Sequence, residues 1–426
     1  MGVNSGWYRT PDVRLILATV VTGVLAGLAG IALTLLLHTV QHAAFGYTEE
    51  AFLLGVEQAS ATRRVAAMAI GGAVAGTGWW ALWRYSRRFP AVGDALSGPD
   101  SELPLPTVTA DAALQIIAVG FGASLGREGA PRQVGAALGG WLAKLLRLDP
   151  GQRRTVLACG AGAGLAAVYN VPLGGAVFTL EVLLVSARAR DVVPAILSSA
   201  VAAAVAWPVL GSQPTYLVPP VNADAAILVW AVLLGPVAGV IGVGFLGATS
   251  WARRRAPKAG WRLPLATTAV FAAVGALAIG YPALLGNGKG LAQLAFDGTL
   301  GMGGLGALLI LKPLATAACL GSGARGGLLT PAVATGALLG ALTGNLWVLL
   351  WPGAPTAAFA LIGAAAVLAT TQRAPLCAIV LIMEFTHTGL DLLVPMLIAV
   401  VGAMLTGRLL RSVGRSGPDT GPIAMA

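Results

Sequence analysis

One carboxylate carries most of the chemical potential of this chain. Glu128 lies in Gly126-Arg127-Glu128-Gly129-Ala130-Pro131, a glycine-rich helix start set between apolar runs, where an ionisable group needs a partner or a function. A helix beginning at Arg127 or Glu128 leaves its first N–H groups without intrahelical acceptors and places partial positive charge at that end. An anion satisfies both, and Gly126 and Gly129 let the backbone come close to it. Glu128 is itself an anion, so its carboxylate can take the ion's place, and protonation would release it. Gate and proton carrier can then be one residue. A related stretch, Gly326-Gly327-Leu328-Leu329-Thr330-Pro331, offers further donors on Gly327, Leu328 and Leu329. Two such helix ends converging at mid-membrane make a weak, mostly uncharged anion site, and weakness lets the ion leave.

Other chemistry has little to draw on. Cys159, Cys319 and Cys377 stand singly in apolar segments, which reads as small core residues rather than a zinc site or a disulfide framework. His38 and His42 can share a helix face but lack a third ligand, so an interfacial pair is expected and no metal or cofactor is. Gly301, Gly303 and Gly306 spell a dinucleotide-like GxGxxG without the preceding strand or following acid, so helix packing is their expected role. No Ser/His/Asp or Cys/His set can be assembled, and the chain is read as a non-enzyme.

The elements that must position Glu128 are membrane helices. Over 426 residues, 57% are hydrophobic and 10% charged, and the mean hydropathy is +0.81; a soluble domain of this size needs far more polar surface. Stretches such as Leu15–Leu37, Val65–Leu82, Ala225–Ala248 and Leu392–Leu405 reach or approach the ~20 residues that cross the hydrocarbon. The 58 glycines and 25 prolines fall inside apolar segments as well as between them, which suits tilted, broken or re-entrant helices. The net charge of +10 comes from basic residues at the ends of apolar runs, including Arg63-Arg64, Arg153-Arg154, Arg188, Arg190 and Arg253-Arg254-Arg255. That is a topology signal, with the 253–262 cluster marking an internal loop, and not a nucleic-acid footprint. Met1–Arg14 is short and polar with no signal-peptide cleavage site, so the first span is expected to remain.

An internal repeat organises the chain. Gly126 and Pro131 map onto Gly326 and Pro331 at an offset of 200, and Pro172 and Glu181 onto Pro375 and Glu384 at an offset of 203. Homologous halves with interrupted helices are the mark of transporters whose site lies at the repeat interface. The expected plan is an all-α polytopic membrane protein of two inverted-topology repeats with tilted and broken helices. It comprises a cytoplasmic segment 1–12, a first repeat 13–220, a second 221–412 and a short tail 413–426. Glu181 and Glu384 end apolar runs and are given structural roles, reaching interfacial water or a base such as Arg188.

These motifs resemble the chloride channel and chloride/proton antiporter (CLC) family. The resemblance rests on Gly126–Pro131, on Ala163–Glu181 (AGLAAVYNVPLGGAVFTLE), on Lys312–Gly340 (KPLATAACLGSGARGGLLTPAVATGALLG) and on Ala364–Glu384 (AAAVLATTQRAPLCAIVLIME), four motifs in order over most of the chain. It implies a homodimer in a cell membrane, each subunit with its own anion pathway, and Glu128 as the outer gating glutamate. The implied anion-binding set is Gly126, Arg127, Glu128, Gly129, Ala130, Gly327, Leu328 and Leu329. From their places beside the motifs, Arg127 and Lys312 are expected to set the field at the anion entrance rather than to bind the ion directly. The implied function is proton-coupled exchange of a small anion, chloride first; a passive voltage- or pH-gated chloride channel and a fluoride or nitrate transporter are the alternatives.

The chain departs from the family pattern in several places. The glycine-serine-glycine-isoleucine-proline signature is replaced by Arg87-Arg88-Phe89-Pro90 or, with a shift, Ser97-Gly98-Pro99, and no tyrosine follows Tyr281, so two central-site hydroxyls are missing. The family's inner glutamate is expected near Val209–Tyr216, where Gln213 stands and no acid does; Gln213 cannot carry a proton. No regulatory domain is expected after Arg415.

Overall fold

The computed structural model describes residues 13–48, 51–86, 91–98, 103–221, 223–353 and 355–413. The expectations on Arg87–Pro90, on Pro99 and on segments 1–12 and 414–426 fall outside those residues. In chain order the helices are α1 (Val13–Phe45), α2 (Phe52–Gln58), α3 (Ala61–Tyr85), α4 (Val92–Ser97), α5 (Leu105–Gly120), α6 (Gly129–Leu145), α7 (Pro150–Tyr169), α8 (Pro172–Phe178), α9 (Ala189–Leu210), α10 (Ala225–Arg255), α11 (Arg262–Gly280), α12 (Lys289–Phe296), α13 (Met302–Gly321), α14 (Leu329–Val348), α15 (Thr356–Gln372), α16 (Pro375–Thr386) and α17 (Leu393–Val413). A π-helical turn, Thr179–Leu184, extends α8. No strand longer than an isolated bridge occurs among the described residues. Among the described residues eight helices are long and apolar enough to cross a bilayer, so the chain is an integral, multi-pass membrane protein.

Local signals start these helices. The Ser60 hydroxyl accepts from the Arg63 N–H at the start of α3. Asp149 and Gln152 close a capping box around Pro150, the first residue of α7, and Asp224 accepts from the Ile227 N–H to open α10. Each cap satisfies an N–H group that the helix itself leaves orphaned.

Packing repeats between the halves. Gly135 of α6 faces Gly160 of α7, and a Cβ built on either would collide with the other's carbonyl; Gly336 of α14 and Gly363 of α15 meet in the same way. Backbone contact of this kind lets two helices pack where lipid supplies no hydrophobic drive. The junction of the halves is also reciprocal. Glu384 of α16 accepts from the N–H groups of Leu173 and Gly174 at the start of α8, while Glu181 beyond α8 accepts from those of Leu376 and Cys377 at the start of α16. A twofold relation produces this exchange, residue against counterpart. The two carboxylates therefore cap opposing helices instead of pairing with Arg188, because a helix N-terminus lies nearer than any base.

Gly301, Gly303 and Gly306 correct another expectation. Nothing in the described chain lies within 4 Å of a Cβ built on any of them, so they bring no neighbouring helix of the same chain into contact; Gly301 caps α13 and the other two open its first turns. His38 and His42 stack with ring centroids 6.3 Å apart, and His42 meets the edge of Tyr47.

Candidate anion site

Glu128 is fully buried between two chain crossings that run antiparallel. The Gly126 N–H donates to the Gly327 carbonyl at 2.8 Å, and the Gly327 N–H donates back to the Gly126 carbonyl at 2.8 Å. A Cβ on either glycine would strike the Glu128 carboxylate. Only glycine lets the two crossings close around that group. Helix α6 starts at Gly129 with Glu128 as its N-cap residue, a residue or two later than the sequence suggests. The bridge to Gly327 draws Gly126 and Arg127 out of the helix.

The carboxylate does not cap its own helix. Its Oε1 accepts from the Leu329 N–H at 2.6 Å, at the first residue of α14, and its Oε2 lies 3.2 Å from the Thr330 hydroxyl and 3.3 Å from the Tyr169 hydroxyl. The two hydroxyls stand 2.8 Å apart, and with one proton each, one donates to the carboxylate while the other donates across this pair. A short bond from a backbone N–H at the positive end of a 20-residue helix is the geometry an anion takes at a helix start.

The structure brings Gly126, Glu128, Gly129, Gly327 and Leu329 together. Gly129 lies against Gln115, whose Oε1 a Cβ there would touch at 2.5 Å, with the Gly327 nitrogen 3.5 Å away. Leu328 is the N-cap residue of α14. Two of the expected anion-binding residues turn their side chains elsewhere. The Arg127 guanidinium stacks on the Tyr169 ring at 4.8 Å and donates to the Val168 carbonyl at 3.1 Å, and Ala130 is buried in the apolar core beside Val134. Lys312 is fully buried and gives its ammonium protons to the carbonyls of Leu284 and Gly286.

Tyr169 and Thr330 were not among the sequence candidates. Both stand inside motifs quoted above, but a hydroxyl was sought after Tyr281, on the last helix. Tyr169 ends α7 just before Asn170, whose left-handed conformation turns the chain into α8. That turn points the phenol across the repeat interface. Ser97 offers no replacement for the missing serine, because its hydroxyl donates to the Gly93 carbonyl of its own helix.

Gln213 also requires correction. It is exposed beyond α9, at the end opposite Arg188 and Arg190; there Asn170 joins Trp207 and Ser212, and Thr215 bonds the Tyr169 carbonyl. The segment from Val209 to Tyr216 thus lies on the Tyr169 side of the protein, away from the basic loops. A buried acid does stand elsewhere. Asp111 pairs with Arg325 at 3.0 Å and accepts from Trp79 and Gln115, and Gln115 links it to Gln133 of α6.

Comparison with known proteins agrees with this architecture. The pattern of the voltage gated chloride channel family matches residues 71–408. An H(+)/Cl(-) exchange transporter ClcA of Vibrio cholerae is 33% identical over 310 residues, 69% of this chain and 64% of that protein. The chain thus spans somewhat under two thirds of that relative's length. A ClcA of Vibrio vulnificus is 30% identical over 428 residues, 94% of this chain and 87% of that protein. Among solved structures, a slow cyanobacterial Cl-/H+ antiporter superposes with a TM-score of 0.83 at 20% identity, covering 94% of this chain and 96% of that one. A CLC-type fluoride/proton antiporter gives 0.73 at 21% identity, covering 92% and 95%. The structural likenesses speak to the fold. By sequence pattern and by relatives that align over most of its length, the chain belongs to the voltage gated chloride channel family.

Proposed function

We propose that the protein exchanges a small anion, chloride first, for protons across a cell membrane, with Glu128 as gate and proton carrier. The observation that carries this reading is the Glu128 carboxylate seated on the Leu329 N–H, a place an anion would otherwise take. The backbone of Gly126, Gly129, Gly327, Leu328 and Leu329 then lines the anion's path, with the Tyr169 and Thr330 hydroxyls as the polar side chains on it. When Glu128 is ionised it fills the site and blocks the path. When it is protonated its hold on the N–H weakens and an anion can replace it, so anion entry and proton uptake are alternatives at one place. The ion meets peptide dipoles and hydroxyls rather than a full charge, which keeps it exchangeable. Arg127, held against Tyr169, raises the potential nearby without contacting the ion.

In this reading residues 13–220 and 221–412 are the two repeats, the site lies between them, and two copies of the chain form a dimer in the plasma membrane. The names of the Vibrio relatives support chloride and protons as the exchanged ions. Purified protein in proteoliposomes under opposed chloride and proton gradients tests it. Exchange shifts the reversal potential with the pH gradient, and Glu128→Ala abolishes that shift. A reversal potential that follows chloride alone in the wild type would establish passive conduction instead.

A further inference from the structure

One turn beyond Glu128 on α6 the chain buries a second charge. Arg132 is only 7% exposed. Its Nε donates to the Glu128 carbonyl at 3.0 Å, and its guanidinium carbon stands 5.2 Å from the centre of the Phe178 ring. No carboxylate pairs with it among the described residues. Glu128 directs its acid group to Leu329, Asp111 is taken by Arg325, and Asp94 on α4 accepts from the Ala91 N–H. A guanidinium keeps its proton, so it cannot escape the cost of burial by becoming neutral. A buried charge whose neighbouring acid, Glu128, is bonded to Leu329 instead is expensive, and one backbone carbonyl with one ring face does not neutralise it.

Arg132 borders a cavity of about 30 Å³. Gly129, Gln133, Phe178, Val92 and Val182 share its walls, and Phe178 is also the residue whose ring Arg132 approaches. This volume admits one or two water-sized species, since a single water needs roughly 10–15 Å³ by the same measure. Gly129, the first residue of the 17-residue helix α6, adds the positive end of that helix to the same wall.

We propose that Arg132 and this cavity hold a small monovalent inorganic anion of the halide class, a site separate from the Leu329 N–H that Glu128 occupies. The proposal rests on the transport reading above and deepens it. The anion supplies the missing counter-ion, and a full charge holds it more tightly than the peptide dipoles at α14. The ion so held sits beside α6, one turn from the gate.

The test is chloride titration by calorimetry on the detergent-solubilised full chain, wild type against Arg132→Met and Arg132→Lys, with bromide-grown wild-type crystals read by anomalous scattering. Losing the charge should weaken chloride binding at least about tenfold, as truncating one side of a buried charge pair does. Arg132→Lys should recover most of that loss, and bromide should appear in the cavity beside Arg132. Equal affinity in Arg132→Met and wild type, with anion flux intact in wild-type proteoliposomes, overturns the site and leaves the transport reading standing. So does bromide found at Leu329 but absent beside Arg132, a result that needs no variant to fold. Wild-type vesicles that move no halide overturn the transport reading and this site with it.

Discussion

Glu128→Ala frees the Leu329 N–H and the hydroxyls of Thr330 and Tyr169 from the carboxylate that occupies them. The 2.6 Å bond from Leu329 dominates, because a hydrogen bond to an ionised group contributes about 1.5–3 kcal/mol net. The hydroxyl contacts at 3.2 and 3.3 Å are longer than usual O–H···O bonds and add little. A tethered competitor worth about 2–3 kcal/mol lowers the apparent affinity of a free anion roughly 30- to 150-fold, at about 1.4 kcal/mol per tenfold. The variant should bind chloride tighter by about that factor. Protonation removes the same competing charge, so wild-type affinity should rise as pH falls and the variant's should stay flat. Calorimetric chloride titration at neutral and acidic pH reads both effects. Equal affinity in the two proteins, or a pH dependence that persists in Glu128→Ala, would refute the competition argument.

Tyr169→Phe removes a hydroxyl shared with Glu128 and Thr330; chloride affinity measured in the Glu128→Ala background should drop about two- to tenfold, the worth of one neutral hydrogen bond, and an unchanged affinity would deny Tyr169 a ligand role. Glu384→Ala and Glu181→Ala each leave two N–H groups uncapped at the opposing helix, and each should destabilise the protein by about 1–2 kcal/mol. Thermal unfolding in detergent checks this, and an unaltered midpoint in either variant would show that the reciprocal caps do not hold the halves together. Gly160→Val forces a side chain into the Gly135 backbone and should cost about 3 kcal/mol or more, whereas Gly303→Ala enters open space and should be neutral or slightly stabilising. Size-exclusion profiles and melting curves of the two variants should diverge accordingly; similar behaviour would mean that α6 and α7 are not in backbone contact at Gly160.

Composition and hydropathy determined that the chain crosses a membrane repeatedly, because an apolar run of bilayer length is a local property that survives any rearrangement of its neighbours. The offsets of 200 and 203 between matching motifs showed two related halves, and a single acid in a glycine-rich helix start marked Glu128. What that carboxylate faces was not local. Its partner, the Leu329 N–H, is 201 residues away, and it is reached only because Gly126 and Gly327 pair across the interface. The same holds for the Tyr169 hydroxyl, which sits 161 residues from Thr330, and for Glu181 and Glu384, whose acceptor roles are exchanged between halves. Gln213 was placed on the wrong side because motif counting gives position along the chain and not which end of α9 faces which loop. Arg132 reads in sequence as one more basic residue near a helix start; only packing reveals that it is buried against residues of α4, α7 and α8 with no carboxylate paired to it among the described residues. Periodicity and charge specify helices one at a time, whereas an anion site belongs to the space between helix ends, and tertiary contact alone fixes that space.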